Sequence, residues 1–345
     1  MKIGLPGWVI KIVKMHRMLY RYHSVFGHSY VPNQKVRIPN AEGAYIIKTN
    51  GQSFRSDSDY VIKKSESKRF IFLGDSHTAG DGSVSNDDRF TNIIQNSSSD
   101  VECYNFACGG YGIDQQVLVY EYLAKKYEHD LVCFSFHVKD DIGRFNPKID
   151  TFSRLSNQIL SISKPYYSLE EKQFSNIPVP HSVIKSLEGK KSQEPNTVSS
   201  ISKIKQFIRS IAYDDENPKY IRDYCSYLLK FYSRMKLESP RSHEYRAIRD
   251  LIHRLIILCE DKPLILSPLV DPRSLYSNPD YRKLYRHFTS NFSNVYYIDL
   301  VKDLKSRSRN YRWNLLNKFT FHYNLEGQKY VSNLILDKLK KERLL

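Results

Sequence analysis

The chain of 345 residues holds few cysteines, namely Cys103, Cys108, Cys133, Cys225 and Cys259. Their odd number and unpaired spacing argue against a disulfide framework and favour a reducing compartment. None has partners at ligand spacing, so no zinc arrangement is expected. Long apolar runs are missing as well. The run Trp8-Val9-Ile10 is broken by Lys11, well short of the ~20 residues a bilayer span needs, and no small-residue cleavage site accompanies it. The expected location is therefore cytoplasmic, peripheral to a membrane at most, through a basic amphipathic amino-terminal helix that would otherwise pack on the domain. There is no internal repeat. Helix-turn-helix, zinc-finger and ribonucleoprotein signatures are absent, and nucleic acid is not an expected partner. Acidic residues are in deficit, 37 against 53 Lys and Arg, for a formal net charge of +16. That balance favours an anionic polysaccharide or a membrane surface as partner, unless the lysines are simply spread over a solvated exterior.

What the sequence does hold is a globular apolar fraction of 41% and an alternating pattern of short apolar runs and helical periods. Phe70–Leu73, Val101–Phe106, Leu131–Phe136, Pro263–Leu266 and Val295–Ile298 read as five strands. Gly112–Tyr127, Ser242–Cys259, Tyr281–Phe292 and a last helix capped by Asn324 read as helices, and acids at Asp87 and Asp88 mark another helix start. Strand, helix, strand at this pitch predicts parallel βαβ units. Residues 1–68 form an amino-terminal extension. In it Trp8–Tyr22 reads as a helix, and Ala44–Thr49 as a strand turning at Asn50-Gly51 into Gln52–Arg55. The remainder, 69–345, is one domain interrupted at about 143–259 by an insertion. Its first part, Gly143–Asn196, shows little periodicity, and Ser199–Ala212 and Lys219–Lys236 read as helices.

The stretch Arg69–Gly82, RFIFLGDSHTAGDG, is the centre of this pattern. An apolar strand breaks at once into Gly74-Asp75-Ser76-His77, which sets Ser76 at a strand's carboxyl end, where open α/β sheets keep their ligand crevice. Asp75 suits bonding to backbone N–H groups of that turn. Three more blocks follow: NFACGGYGIDQQ from Asn105, FHVKDDIGR from Phe136 and HYNLEG from His322. The four blocks and their order resemble the SGNH (GDSL-type) hydrolase superfamily of esterases, lipases and acyltransferases, across roughly 69–148 and 262–341. The resemblance implies a three-layer α/β/α sandwich with a parallel five-stranded, flavodoxin-like sheet, plus the extension and a helical insertion.

It further implies Ser76 as nucleophile and His322 as general base and acid, because a serine hydroxyl must lose its proton to a base as it attacks. Oxyanion donors carried over from the family are the N–H of Ser76 and that of Gly110, with Gly109 the register alternative. The family's third donor is an asparagine amide. Asp140 stands in its place, and an ionised carboxylate donates nothing, so either Asp140 is protonated, or Lys139 or Arg144 supplies the positive partner, or the donor is missing. The family's aspartate before the histidine is replaced by Phe319 and Thr320, which makes a dyad steadied by a backbone carbonyl the default; nothing in the sequence brings Asp140 or Asp141 to His322. His77 and His137 are substrate contacts or satisfied structural histidines, and a similar "N, G, F/R" segment in bacterial members from surface-glycan gene sets makes Arg55 a candidate for the rim, the alternative being an exposed hairpin residue. The implied activity is ester chemistry on an O-acyl, most simply O-acetyl, group of a carbohydrate or another small ester, by hydrolysis or by transfer to a glycan. A degenerate glycan-binding domain is the alternative. No metal or nucleotide cofactor is implied.

Overall fold

The computed structural model describes residues 19–40, 43–138, 141–145, 148–153, 158–181, 183–185, 207–208, 210–212, 218–273, 275, 278–318 and 320–345. The extension forms two antiparallel hairpins, β1 (Tyr20–His23) with β2 (Gly27–Tyr30), and β3 (Lys35–Asn40) with β4 (Gly43–Lys48). Thr49 bridges Arg55 across the expected Asn50-Gly51 turn. The expected helix over Trp8–Tyr22 is corrected at its end: residues 1–18 lie outside the described residues, and Tyr20 to Tyr22 are strand. Cross-strand pairing explains this, since Tyr20 stacks on Tyr30 with ring centroids 5.1 Å apart, a contact a helix would not offer.

The central sheet uses β5 (Lys68–Gly74), β6 (Val101–Asn105), β7 (Leu131–Ser135), and, far along the chain, β13 (Leu264–Leu266) and β14 (Val295–Tyr297). All its pairings are parallel, in the order β14-β13-β7-β5-β6. Phe70 to Leu73, Val132 to Phe134 and Leu264 to Leu266 are buried, as expected for strands covered on both faces. Each such side chain contributes about 1.5–3 kcal/mol of burial. Between β5 and β6 lies α1 (Ser76–Ala79) and then α2 (Phe90–Asn96); α3 (Ile113–Tyr122) leads to β7. Because β6 lies on one side of β5 and β7 on the other, right-handed crossovers put α2 and α3 on opposite faces. The terminal helix α7 (Leu325–Lys341) packs on α2, and α5 (His243–Cys259) packs on α3. The helix α2 starts at Phe90 rather than among the acids at 87 and 88, since Gln328 on α7 accepts the Phe90 N–H at 2.9 Å.

The insertion departs from a helical one. Its first part is strand: β8 (Lys148–Ser153), β9 (Gln158–Ser163) and β12 (Val183–Lys185) form one antiparallel sheet, while β10 (Tyr166–Ser168) and β11 (Gln173–Ser175) form a hairpin. Alternation was hard to read there because Ser, Lys and Asn punctuate every run. The helix α4 (Lys219–Glu238) follows, and α6 (Arg282–Asn291) links β13 to β14. Most of the expected Ser199–Ala212 helix lies outside the described residues. Helix α5 belongs to the core, since Ile248, Leu251, Ile252, Leu255 and Cys259 are fully buried. Among the described residues no helix is long and apolar enough to cross a membrane.

Candidate active site

Sheet topology fixes where chemistry can occur. The strand order reverses between β5 and β7, and in open α/β sheets the crevice lies beyond the carboxyl ends at such a switch. Gly74 and Ser135 are partners at those ends, so Ser76 and His137 leave the sheet side by side. Asp75 caps α1, its carboxylate accepting the His77 N–H at 2.9 Å. Within 75–80 Ser76 is the one residue that is not buried.

The chain returns to this edge 246 residues later, where His322 Nε2 lies 2.8 Å from Ser76 Oγ. The loop that carries His322 is tied at both ends. Asn317 N–H donates to the His322 carbonyl, and Asn324 caps α7 through the Gly327 N–H at 3.0 Å. The Tyr323 hydroxyl donates to the Val270 carbonyl beyond β13. Across the ring, His322 Nδ1 faces the Thr320 carbonyl at 3.0 Å. A carbonyl only accepts, so Nδ1 carries the proton and Nε2 is left as the acceptor for the Ser76 hydroxyl. Asp75 Oδ2, at 3.3 Å from Ser76 Oγ, is then the lesser partner of that hydroxyl. Burial first, and the neighbouring His77 second, push the His322 imidazole down to about 4, which keeps it neutral, with Nε2 open to a proton, near neutrality. Gly82 has φ +83, and a Cβ there would lie 2.9 Å from His322 Nδ1, so this position requires a residue with no side chain.

Among the described residues neither the Ser76 N–H nor the Gly110 N–H meets an acceptor, whereas the Gly109 N–H donates to the Tyr30 hydroxyl at 3.3 Å. Of the two registers, Gly110 is the one with a donor left for a ligand. Its loop starts beside Ser76, since the Cys108 N–H donates to the Gly74 carbonyl. Lys139 and Asp140 lie outside the described residues, as does Phe319.

Beneath the dyad sits a carboxyl pair. Asp75 and Asp141 are both buried, and both lie against Arg144. Although burial opposes it, His77, Arg144 and His137 hold Asp75 down at about 2, whereas burial and the Asp75 charge push Asp141 well up. Asp141 Oδ2 accepts from the His137 N–H and from Gln116 Nε2, both at 2.7 Å. Arg144, expected at the pocket, bonds Asp141 at 3.1 Å and the Tyr111 carbonyl at 3.2 Å and stands 3.8 Å from Asp75. It therefore neutralises this layer. Asp141 does not reach His322. Above the carboxyls His77 stacks between His137 and His322, at centroid distances of 4.3 and 4.5 Å.

Arg55 is not at the rim, as the sequence led us to expect. It is fully buried, paired with Asp81 at 3.1 Å and bonded to Asn86 and the Val84 carbonyl, because Asp81 needs a counter-charge in the interior. Asp81 also accepts from Tyr20 and Tyr30 at 2.9 and 2.6 Å, and its N–H donates to the Ser76 carbonyl. Sequence reasoning missed this cluster, along with Gln116; the backbone carbonyl it expected to steady His322 is that of Thr320. The aromatic pattern of residues 20–30 was the one available signal. No group of His, Cys, Asp and Glu among the described residues could hold a metal ion, and all five cysteines are free.

No protein-family model matches the chain, and no curated protein does. Solved structures similar to it include a lipase/acylhydrolase from Enterococcus faecalis, 14% identical, covering 80% of this chain and 96% of that one with a TM-score of 0.40. A member of the lipolytic G-D-S-L family from Veillonella parvula is 11% identical, covering 79% and 97%, with a TM-score of 0.42. A two-domain esterase active on acetylated mannans is 13% identical, covering 82% and 52%, with a TM-score of 0.39. At these identities and scores the likeness carries no weight for the chemistry, which rests on the geometry above.

Proposed function

We propose that the chain is a serine esterase of the SGNH type that forms an acyl-enzyme on Ser76. One observation carries the reading: the hydroxyl of Ser76 is aimed at the unprotonated nitrogen of His322, 2.8 Å away, while the other ring nitrogen is tied to a backbone carbonyl. As Oγ attacks an ester carbonyl, its proton passes to His322 Nε2. Negative charge gathers on the carbonyl oxygen, for which the N–H groups of Ser76 and Gly110 are the donors, each contributing about 2.7–4 kcal/mol in such sites. Collapse expels the alkoxide, which takes the proton from Nε2 and leaves as the alcohol. Water, or a sugar hydroxyl, then gives its proton to the same nitrogen and attacks the acyl-serine, which restores the hydroxyl of Ser76. The substrate class is an O-acyl, most simply O-acetyl, carbohydrate, with hydrolysis the first choice and transfer to a glycan the second.

The experiment is turnover of p-nitrophenyl acetate, and acetate release from an acetylated polysaccharide, by the wild type and Ser76→Ala. Loss of the nucleophile should lower kcat by at least ~10³, and a fluorophosphonate probe should label Ser76. Equal rates in both proteins, with no labelling, would leave the degenerate binding domain as the better account.

A further inference from the structure

We propose that His28, on the hairpin of the amino-terminal extension, is a positioning residue that locks the Gly109–Gly110 peptide with its N–H turned toward the oxyanion. The inference rests on the esterase reading above. His28 Nε2 lies 2.8 Å from the Gly109 carbonyl oxygen, and a carbonyl only accepts, so that nitrogen is the donor. The Gly109 carbonyl and the Gly110 N–H belong to one trans peptide, in which the two groups point in opposite directions. Holding the carbonyl at His28 therefore turns the Gly110 N–H to the other side, where it meets no acceptor among the described residues.

The lock matters because a glycine on each side leaves this peptide without the steric bar that side chains give against rotation. Gly110 has φ +85, and a Cβ there would meet nothing closer than the His28 ring at 3.6 Å. A Gly-Gly peptide of this kind rotates as a unit at little steric cost. Rotation by half a turn would bring the carbonyl oxygen where the donor belongs, and that oxygen would repel a developing oxyanion. The imidazole is itself held. Its backbone carbonyl accepts from the Tyr111 hydroxyl at 2.7 Å, and its ring meets Tyr20 and Tyr111 edge-on at 5.5 and 5.1 Å. Gln115 on α3 anchors the hairpin turn through the Phe26 carbonyl at 2.8 Å. On the other side of the peptide the Gly109 N–H is bound by Tyr30, which fixes the neighbouring amide plane.

The test compares full-length wild type, His28→Leu and His28→Gln in p-nitrophenyl acetate turnover and in the rate of fluorophosphonate labelling, with thermal melting of each. His28→Leu should lose about 10- to 100-fold in kcat with KM nearly unchanged, because a donor made only in the transition state is misaimed, and labelling should slow in parallel. Glutamine offers an amide N–H to the same carbonyl and should restore most of both rates. Unchanged rates in His28→Leu, or glutamine as impaired as leucine while still melting like the wild type, would overturn the lock. Should leucine not fold, His28→Ala takes its place as the variant without a donor, with the same outcomes. Wild type that neither turns over nor labels would refute the esterase reading instead.

Discussion

An isolated imidazole titrates near 6.5, yet burial and His77 hold His322 at about 4. A dyad whose base must be neutral should thus keep working in mild acid. At pH 5 about nine-tenths of an imidazole titrating near 4 is unprotonated, against about 3% of one titrating at 6.5. The acid limb of kcat/KM should lie near pH 4. Asp75, held at about 2, stays ionised across that window and is not the group observed. His77→Phe removes the facing imidazole, 4.5 Å away, and keeps a flat ring in the stack. Its removal should shift the limb upward, by about one unit given that burial is the larger cause. The same group enters stability. Its folded pKa is below its unfolded one, so between about 4 and 6.5 the unfolded chain binds more protons and stability rises with pH. That lowering amounts to about 3 kcal/mol, absent as a penalty above pH 6.5 and complete below about 4. The assay is ester hydrolysis followed at the isosbestic wavelength of nitrophenol, with urea unfolding at each pH. A wild-type limb between pH 6 and 7, or a downward shift in His77→Phe, would refute the reasoning.

Three further outcomes are expected. Gly82→Ala introduces a Cβ 2.9 Å from His322 Nδ1 at φ +83; it should lower kcat by more than ~10-fold through displacement of the ring and destabilise by about 1–2 kcal/mol, read by steady-state kinetics and melting. Asp141→Ala leaves the His137 N–H and Gln116 without their acceptor and should cost about 2–4 kcal/mol in urea unfolding. Lys164, in the turn after β9, pairs with Asp114 on α3 at 2.6 Å, and both side chains are buried. Lys164→Met should cost about 3–5 kcal/mol by stranding the aspartate, and adding Asp114→Leu should recover most of it; a double variant no more stable than the single one would contradict this.

The parallel sheet was legible because its strands are buried on both faces and so appear as unbroken apolar runs: Phe70–Leu73 and Leu131–Phe136 needed no partner to be recognised. The serine turn and the histidine before the last helix were legible as local motifs, Gly-Asp-Ser and Asn324 with its cap. Other features depend on residues far apart in sequence. The start of α2 is set by Gln328, and the raised Asp141 carboxyl by burial and Asp75; that a backbone carbonyl would steady His322 was legible, but not that it is the one at Thr320. Arg55 was misread for the same reason, since a cation in a hairpin looks exposed until the buried Asp81 that pairs with it is known.

That misreading bears on what the extension is. Its side chains Phe26, Tyr30, Ile38, Tyr45, Ile47, Phe54 and Tyr60 lie in the same hydrophobic cluster as the sheet. Its polar groups are joined to the site itself: Tyr20, Tyr30 and Arg55 to Asp81, Tyr45 to the Gly82 N–H, His28 to the Gly109 carbonyl. Asp81 and Gly82 in turn touch the Ser76 carbonyl and the His322 ring. Serine turn, imidazole and oxyanion loop are three separate segments, each free to shift by an ångström, and such a shift would cost a large factor in rate. The extension reaches the oxyanion loop directly and the serine turn and imidazole through Asp81 and Gly82, by charge-assisted bonds at Asp81 and neutral ones elsewhere, so it acts on their spacing as a clamp. A chain without it would lose that clamp together with the buried side chains it adds to the core.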